Sequence, residues 1–240
     1  MLRASGYANL QRMRQATLVF LMCFVIGAPA ALAAQAPTCP PYTSPIVLDF
    51  KTQMPPATYN RNLNVAGIRN LFSNRGQAAG GPHSRALGIT AVETILSLRA
   101  ASRLVPRQNG YCVYLTSVDA DFGWQRLQVF IASELKSGSC GYSAVLDHEN
   151  QHVAINRETA TQFAPRVRAR LEELLKAQKP VFVRDTGPAT DAILDQIKNR
   201  SAPVVNDFAE MLAARQAVID TAKNYSATSA LCADWGDTQQ

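Results

Sequence analysis

The pattern of apolar and polar positions divides the chain into a strand-rich first part and a helical second part. Within residues 45–135, runs rich in β-branched and aromatic residues alternate with turn-forming segments, as in "IVLDF", "YCVYLTSVDADF" and "QRLQVFIASEL". The last two runs predict two strands of an antiparallel pair. The run "ITAVETILSLRAASRLV" fits either a helix or a strand, and its neighbours favour a strand. The pattern therefore predicts a small antiparallel sheet.

The second part reads as a long helical hairpin over residues 143–225. The stretch "SAVLDHENQHVAINRETATQF" lacks glycine and proline, and Ser143 is available as its N-cap. Pro165 follows residues that cap poorly, so we expect one kinked helix that ends near residue 178. After the reversal "KPVFVRDTGP", a second helix is predicted from about residue 188 to Tyr225, with Pro203 inside it.

Together these elements predict an α+β fold in which a small antiparallel sheet precedes the helices. With 240 residues, 47% of them hydrophobic and 18% charged, the chain has the composition of an ordinary globular protein with one sizeable core. We expect a single domain over residues 34–240, mainly β over 45–135 and helical over 143–225.

Residues 1–33 are typical of a secretory signal peptide. Three arginines precede the apolar run "ATLVFLMCFVIGAPAALAA", in which Ala31-Leu32-Ala33 forms an A-x-A cleavage pattern. An uncleaved membrane anchor is the alternative, because the run approaches the length that spans a bilayer. Pro29 and the small residues at the end of the run favour cleavage. We therefore expect a periplasmic or secreted protein, with no membrane association beyond this segment.

The net charge does not indicate a nucleic-acid partner. The chain carries +6, and removal of the three arginines of the signal peptide leaves +3. No cluster of lysine and arginine interleaved with aromatic residues is present. We expect the protein to bind no nucleic acid.

The cysteines indicate an oxidising compartment. Cys23 leaves with the signal peptide, which leaves an even number in the mature chain, none within the C-x2-4-C spacing of metal sites: Cys39, Cys112, Cys140 and Cys232. Two disulfides are expected. Antiparallel pairing of the predicted helices brings Cys140 towards Cys232 and leaves Cys39 with Cys112. A Cys112–Cys140 bond is an alternative, and the sequence alone leaves all three connectivities open.

The stretch "AVLDHENQHVAIN" contains the motif H-E-x-x-H at His148, Glu149 and His152. Residues four apart on a helix lie one turn above each other, so the two histidines can bind one Zn²⁺. Glu149 can then act as the general acid/base that moves the proton of a metal-activated water. The alternative is that both histidines are ordinary surface or core residues of a helix.

A catalytic zinc needs a third protein ligand, and the familiar spacings supply poor ones. Astacin-like enzymes place it where this chain has Glu158, but Ile155 stands where they turn the helix with a glycine. Thermolysin-like enzymes use a glutamate about twenty residues on, which corresponds to Glu172 or Glu173. Ordinary solvated charges on a helix are the favoured interpretation of all three glutamates.

The predicted hairpin offers a better ligand. Antiparallel packing of the two helices places residue 218 opposite His148, and Asp220 is the nearest acid. His83, in the loop segment "GGPHS", is the only other histidine and is less favoured. Tyr142 and Tyr225 are candidates to stabilise an oxyanion.

These features resemble a bacterial family of predicted secreted zinc-dependent proteases, otherwise described as a domain of unknown function. The likeness covers about residues 45–225 and includes the strand pair, the helix "VLDHENQHVAI" and a second helix that ends in "IDTAKNYS". The family ends this helix in a Y-D-x-x-T-x-H-G-like pattern. This chain has Asp220 at the acid and Tyr225 where the family has histidine. The resemblance implies a zincin-type fold and zinc-dependent hydrolysis of peptide bonds.

The sequence thus favours a periplasmic or secreted zinc metallopeptidase that cleaves a peptide or protein. His148 and His152 are the predicted zinc ligands, Asp220 is the candidate third ligand, and Glu149 is the predicted catalytic residue. The alternative is a catalytically inactive zincin-like envelope protein that acts as a binding or structural module.

Overall fold

The structure is a computed structural model that describes residues 38–74 and 86–235, apart from the side chains of 72–74. The predicted signal peptide, residues 1–33, and His83 lie outside the described residues. Within these ranges the chain forms four helices and one sheet of five strands, so the predicted mixture of helices and strands is confirmed.

A long β-hairpin forms the centre of the sheet. Strand β3, Gly88–Arg107, and strand β4, Gly110–Ile131, pair antiparallel along almost their whole length. Only two residues connect them, and Asn109 adopts the left-handed conformation, with φ of 63°. An Asn-Gly pair between apolar runs is a strong hairpin signal, because asparagine and glycine tolerate positive φ. The ambiguous run is therefore a strand, as expected.

The two strands predicted within residues 111–135 are in fact the single strand β4. The prediction was wrong because Gly123, which resembles a turn residue, lies inside the strand with φ of 133°. A side chain there would clash with the carbonyl oxygen of Gln53 on the neighbouring strand. The register with β3 also shifts at Gln125 and Thr116, which breaks the alternation of polar and apolar positions.

The prediction of an antiparallel sheet is also wrong, because two strands of the observed sheet run parallel to β4. Strands β1, Val47–Gln53, and β2, Thr58–Asn60, pair with β4 in parallel, whereas β5, Val181–Val183, pairs with it antiparallel. Since β3 occupies one edge of β4, the three short strands share the other edge. Periodicity predicts that a segment is a strand but says nothing of its direction relative to distant strands.

The long hairpin of helices is observed, with different boundaries. After helix α1, Val65–Asn74, helix α2 extends over Cys140–Ala177, and helix α3 over Ala189–Ile219. Ser139, not Ser143, is the N-cap of α2, since its hydroxyl accepts a hydrogen bond from the backbone N–H of Tyr142.

Both long helices continue through their prolines. Helix α2 contains Pro165, as predicted, and α3 contains Pro203. The predicted second helix does not reach Tyr225 without interruption. It ends at Ile219, with Asp220 as its C-cap, and Thr221 then caps a short helix α4, Ala222–Ala230.

Helices α2 and α3 pack on one face of the sheet, where the core lies. Phe122 and Trp124 of β4 meet Phe208 of α3, with ring centroids 5.1 and 5.4 Å apart, and Phe163 of α2 lies 5.6 Å from Phe208. Burial of each large apolar side chain contributes about 1.5–3 kcal/mol to stability. This contact fixes the two helices side by side and so determines which of their residues face each other.

Two disulfides, Cys39–Cys112 and Cys140–Cys232, confirm the expected number and the pairing that the helical hairpin favoured. They fit an oxidising compartment. The first joins the segment before β1 to β4, and the second joins the start of α2 to the residues after α4. Across the described ranges, no helix combines the length and hydrophobicity needed to cross a membrane.

Candidate metal centre

His148 and His152 lie one turn apart near the N-terminal end of α2, as the motif requires. Their ring centroids are 4.8 Å apart with the planes nearly perpendicular, and their Nε2 atoms are 3.2 Å apart. Only 12% and 11% of the two side chains is exposed. Both histidines therefore direct the same nitrogen towards one point that is largely shielded from water.

Asp220 reaches this point from the other helix. It is the C-cap of α3, so its backbone leaves the helical conformation, with φ of −89° and ψ of 47°. Its Oδ1 atom lies 3.3 Å from Nε2 of His148 and 3.1 Å from Nε2 of His152. The structure thus brings the two motif histidines and the acid expected from helix pairing into one cluster.

The three atoms have the spacing of ligands around a tetrahedral metal ion. Ligands bound to Zn²⁺ at about 2.0–2.1 Å in tetrahedral geometry are about 3.3–3.4 Å from one another. The three distances here are 3.1, 3.2 and 3.3 Å. Two imidazoles and one carboxylate also form a donor set that zinc accepts in proteins. The residues present therefore fit a zinc ion with a fourth position left for water.

Gln216 is a functional candidate that the sequence reasoning missed. Its side-chain Oε1 contacts Nδ1 of His152, and its backbone carbonyl accepts a hydrogen bond from the N–H of Asp220 at 3.2 Å. The pairing of positions that led to Asp220 also places residue 216 near His152, so the same reasoning could have found it. Gln216 touches two of the three clustered residues.

The pKa of His152 reflects this surrounding. Burial lowers it, but the hydrogen bond to Asp220, the charge of Glu149 and the hydrogen bond to Gln216 together outweigh burial, so the pKa is raised.

For Asp220, partial burial acts to raise the pKa. Hydrogen bonds with His148, His152 and Tyr225 outweigh it and hold the pKa well below its usual range.

Tyr225, on α4, completes the cluster. Its hydroxyl donates a hydrogen bond of 2.7 Å to Oδ1 of Asp220, and its ring lies 5.4 Å from that of His148. Burial and this hydrogen bond raise the pKa of the Tyr225 hydroxyl. Tyr142, the other candidate to stabilise an oxyanion, instead packs against Arg61, whose Cζ lies 5.4 Å from the centroid of the tyrosine ring.

Glu149 is buried beside the cluster, between α2 and the start of β3. Its side chain is held by Thr90, whose hydroxyl oxygen lies 2.7 Å from Oε2 and 3.2 Å from the backbone carbonyl of Glu149. Gly88 makes room for it, since a Cβ there would lie 2.6 Å from Oε1 of Glu149 and 2.7 Å from Cγ1 of Val145. Burial raises the pKa of Glu149 more than nearby hydrogen bonds and charges lower it.

Thr90 and Gly88 carried no signal in the sequence. They lie 59 or more positions from Glu149 along the chain. Only the placement of β3 against α2 brings them together.

The other candidate ligands lie elsewhere. Glu158 is exposed on α2, and Glu172 and Glu173 form ion pairs of 2.8 Å with Arg168 and Arg170 on the surface of the same helix. These positions agree with their interpretation as solvated helix charges. His83 lies outside the described residues.

No other group of histidine, cysteine, aspartate or glutamate in the described part of the chain has metal-binding spacing. Comparison of the whole chain with protein-family models, with curated proteins and with solved structures finds no match.

Proposed function

We propose that the protein is an exported zinc-dependent metallopeptidase with a zincin-type active-site helix, related to the family that its sequence resembles. The observation that carries the proposal is the triangle of two Nε2 atoms and one carboxylate oxygen, with edges of 3.1–3.3 Å. His148, His152 and Asp220 would hold the zinc ion. A glutamate next to the first histidine, as the H-E-x-x-H pattern requires, makes hydrolysis the favoured chemistry.

Each residue then has a distinct role. When bound, zinc would lower the pKa of a water molecule to about 7 and polarise the carbonyl of the substrate. Glu149 would take a proton from the attacking water and return it to the leaving amine, and the hydrogen bond from Thr90 would orient the carboxylate. Tyr225 would hold Asp220 by donating its one hydroxyl proton, and it would serve an oxyanion only by exchanging that hydrogen bond.

The sheet supplies an argument for an extended peptide as substrate. Among the described residues, β3 pairs only with β4, so no other strand lies along its outer edge. Thr90, in the same strand, contacts Glu149. Extended peptides bind such edges by backbone hydrogen bonds and thus add a strand to the sheet. A peptide aligned on the start of β3 would pass close to the catalytic glutamate.

One observation favours a zincin-like binding module without turnover as a second candidate. Glu149 is only 4% exposed. A general base must reach the proton that it moves, directly or through one water. If the contacts with Thr90 and Gly88 keep the carboxylate of Glu149 out of reach of a metal-bound water, the centre would bind metal and peptide without hydrolysis.

The test begins with the zinc content of the purified mature protein. We expect about one zinc per chain, its loss in His148→Ala and its retention in Glu149→Gln. Cleavage of a quenched peptide library should be lost in the first and fall by roughly 10²–10⁴-fold in the second, the usual contribution of a general base. Glu158→Gln is the matched control, because Glu158 is an exposed glutamate of the same helix.

Trace zinc in the wild type would overturn the proposal. Stoichiometric zinc and peptide binding without cleavage, unchanged in Glu149→Gln, would instead establish the binding module. Export is tested separately, by the mass of the secreted protein, which should begin at residue 34.

A further inference from the structure

We infer that Gln216 is a positioning residue for the metal centre, which fixes the ring orientation and the tautomer of His152 so that Nε2 faces the ion. This inference rests on the proposed function, in that it assigns a role to a residue outside the set of ligands. The juxtaposition that carries it is the contact between Oε1 of Gln216 and Nδ1 of His152, on the ring edge away from Asp220.

The chemistry follows from the two ring nitrogens. A neutral imidazole carries its proton on one nitrogen and a lone pair on the other. An amide oxygen accepts hydrogen bonds and cannot donate them, so the contact requires the proton on Nδ1. With one proton held on Nδ1, the proton that Nε2 donates to Asp220 is the one that leaves when a metal ion binds, and the Nε2 lone pair then faces the point shared with His148 and Asp220.

Because His152 is buried, its Nδ1 proton needs an acceptor within the protein. A proton on Nδ1 without an acceptor would be an unsatisfied buried donor, which is unfavourable. Metal-binding histidines usually donate their other N–H to a carboxylate, a carbonyl or a water, and loss of that partner typically weakens metal binding 10–100-fold. In this protein the partner is the side-chain amide of a neighbouring helix.

Gln216 also couples His152 to the third member of the cluster. Its backbone carbonyl accepts the N–H of Asp220, the C-cap of α3, in a helical hydrogen bond, so Gln216 and Asp220 are one turn apart. The side chain therefore acts on His152 from the same turn whose backbone positions Asp220. A substitution at 216 that remains helical leaves the backbone contact in place and removes only the side-chain contact.

The experiment compares zinc affinity by competition with a chromophoric chelator. Gln216→Met preserves the length of the side chain and its helix propensity but removes the amide oxygen. We expect its dissociation constant for zinc to rise 10–100-fold. Gln216→Glu keeps an acceptor at the same distance, and we expect affinity within about threefold of the wild type or tighter.

Gln162→Met is the matched control. Gln162 also bridges α2 and α3, by accepting a hydrogen bond from Arg215, and does not touch the cluster. Its affinity should equal that of the wild type. Equal weakening by Gln216→Met and Gln216→Glu, or no weakening by Gln216→Met, would overturn the inference.

A second measurement detects the proton on Nδ1 of His152 directly. In nitrogen-edited NMR spectra of the zinc-loaded wild type, a proton of His152 should be seen on Nδ1 and should be protected from exchange with water. In Gln216→Met it should exchange rapidly, whereas a protected Nδ1 proton in that variant would contradict the inference. Both readouts are independent of hydrolysis. A wild type that binds zinc but cleaves nothing would refute the proposed enzyme and leave the role of Gln216 intact.

Discussion

The hydroxyl oxygen of Thr90, near the start of β3, lies 2.7 Å from Oε2 of Glu149, on the turn of α2 that carries His148. The contact joins the edge of the sheet to the predicted catalytic residue. It offers the buried carboxylate a hydrogen-bond donor from a side chain. Thr90 therefore influences both the orientation of Glu149 and its affinity for protons.

Thr90→Val should slow hydrolysis without loss of zinc. The hydrogen bond from Thr90 lowers the pKa of Glu149 against the raising effect of burial, so its removal should raise that pKa further. Because the carboxylate form is the base, the acidic limb of the pH–rate profile should move to higher pH. Thr90→Ser keeps the hydroxyl and should restore the wild-type profile. An unchanged limb in Thr90→Val would show that Thr90 does not act on Glu149.

Gly88→Ala should destabilise the protein and displace Glu149. The added methyl would lie 2.6 Å from Oε1 of Glu149 and 2.7 Å from Cγ1 of Val145, closer than real contacts allow. Forcing extra volume into a packed site typically costs about 1–3 kcal/mol. Chemical denaturation would measure this loss.

Gly187→Ala is the control, because its nearest neighbour would be an ordinary 3.7 Å away, at Asp185. It should leave both stability and hydrolysis nearly unchanged. Equal stability of Gly88→Ala and the wild type would contradict the close packing of β3 on α2.

The sequence allowed the helical half of the site to be predicted because its geometry is local or nearly so. His148 and His152 share a helix, and the approach of Asp220 follows from antiparallel pairing of two helices joined by a short reversal. The break at Asp220 was missed, since Thr221 is a weak signal within an otherwise helical run. Yet this break frees Asp220 from helical geometry.

The sheet half could not be predicted in the same way. Whether β1 and β2 run parallel to β4 depends on pairings between residues about 70 positions apart. Periodicity carries no information on such distant pairs. The contacts of Gly88 and Thr90 with Glu149 likewise depend on how β3 packs against α2, between residues 59 or more positions apart, and so they emerged only from the structure.

Asp220→Asn should destabilise the metal-free protein in a limited pH window. The lowered pKa of Asp220 contributes stability that is present above its unfolded value of 3.8 and is lost as pH falls through the folded value. The raised pKa of His152 contributes stability that is present below 6.5 and is lost as pH rises through the folded value. The difference between variant and wild type should therefore be largest between about pH 4 and 6.5.

Denaturation of chelator-treated protein across pH 3–9 would measure this difference. Asp207→Asn is the control, because Asp207 pairs with Arg166 at 3.1 Å and arginine keeps its charge throughout this range. Its effect should not decline between pH 6.5 and 9. A loss in Asp220→Asn that persists unchanged to pH 9 would show that the pair with His152 does not carry the effect.

Removal of the two disulfides should lower the free energy of unfolding by similar amounts, but it should change the affinity for zinc by different amounts. They close loops of 73 and 92 residues, for which chain entropy predicts similar contributions of about 4–5 kcal/mol. Only Cys140–Cys232 ties the end of α4 to the helix of the histidines, and α4 contains no buried residue of its own. Without this bond α4 should detach more readily, and Tyr225 would no longer hold Asp220.

Paired serine substitutions separate the two effects. The Cys140→Ser/Cys232→Ser variant should bind zinc more weakly than the Cys39→Ser/Cys112→Ser variant, at a temperature where circular dichroism shows both to be folded. Tyr225→Phe should reproduce part of the loss, because it removes the hydrogen bond to Asp220 and leaves the disulfide intact. Equal zinc affinity in the two disulfide variants would show that the position of α4 does not depend on Cys140–Cys232, and that the hydrogen bonds at the C-cap of α3 are sufficient to hold Asp220 in place.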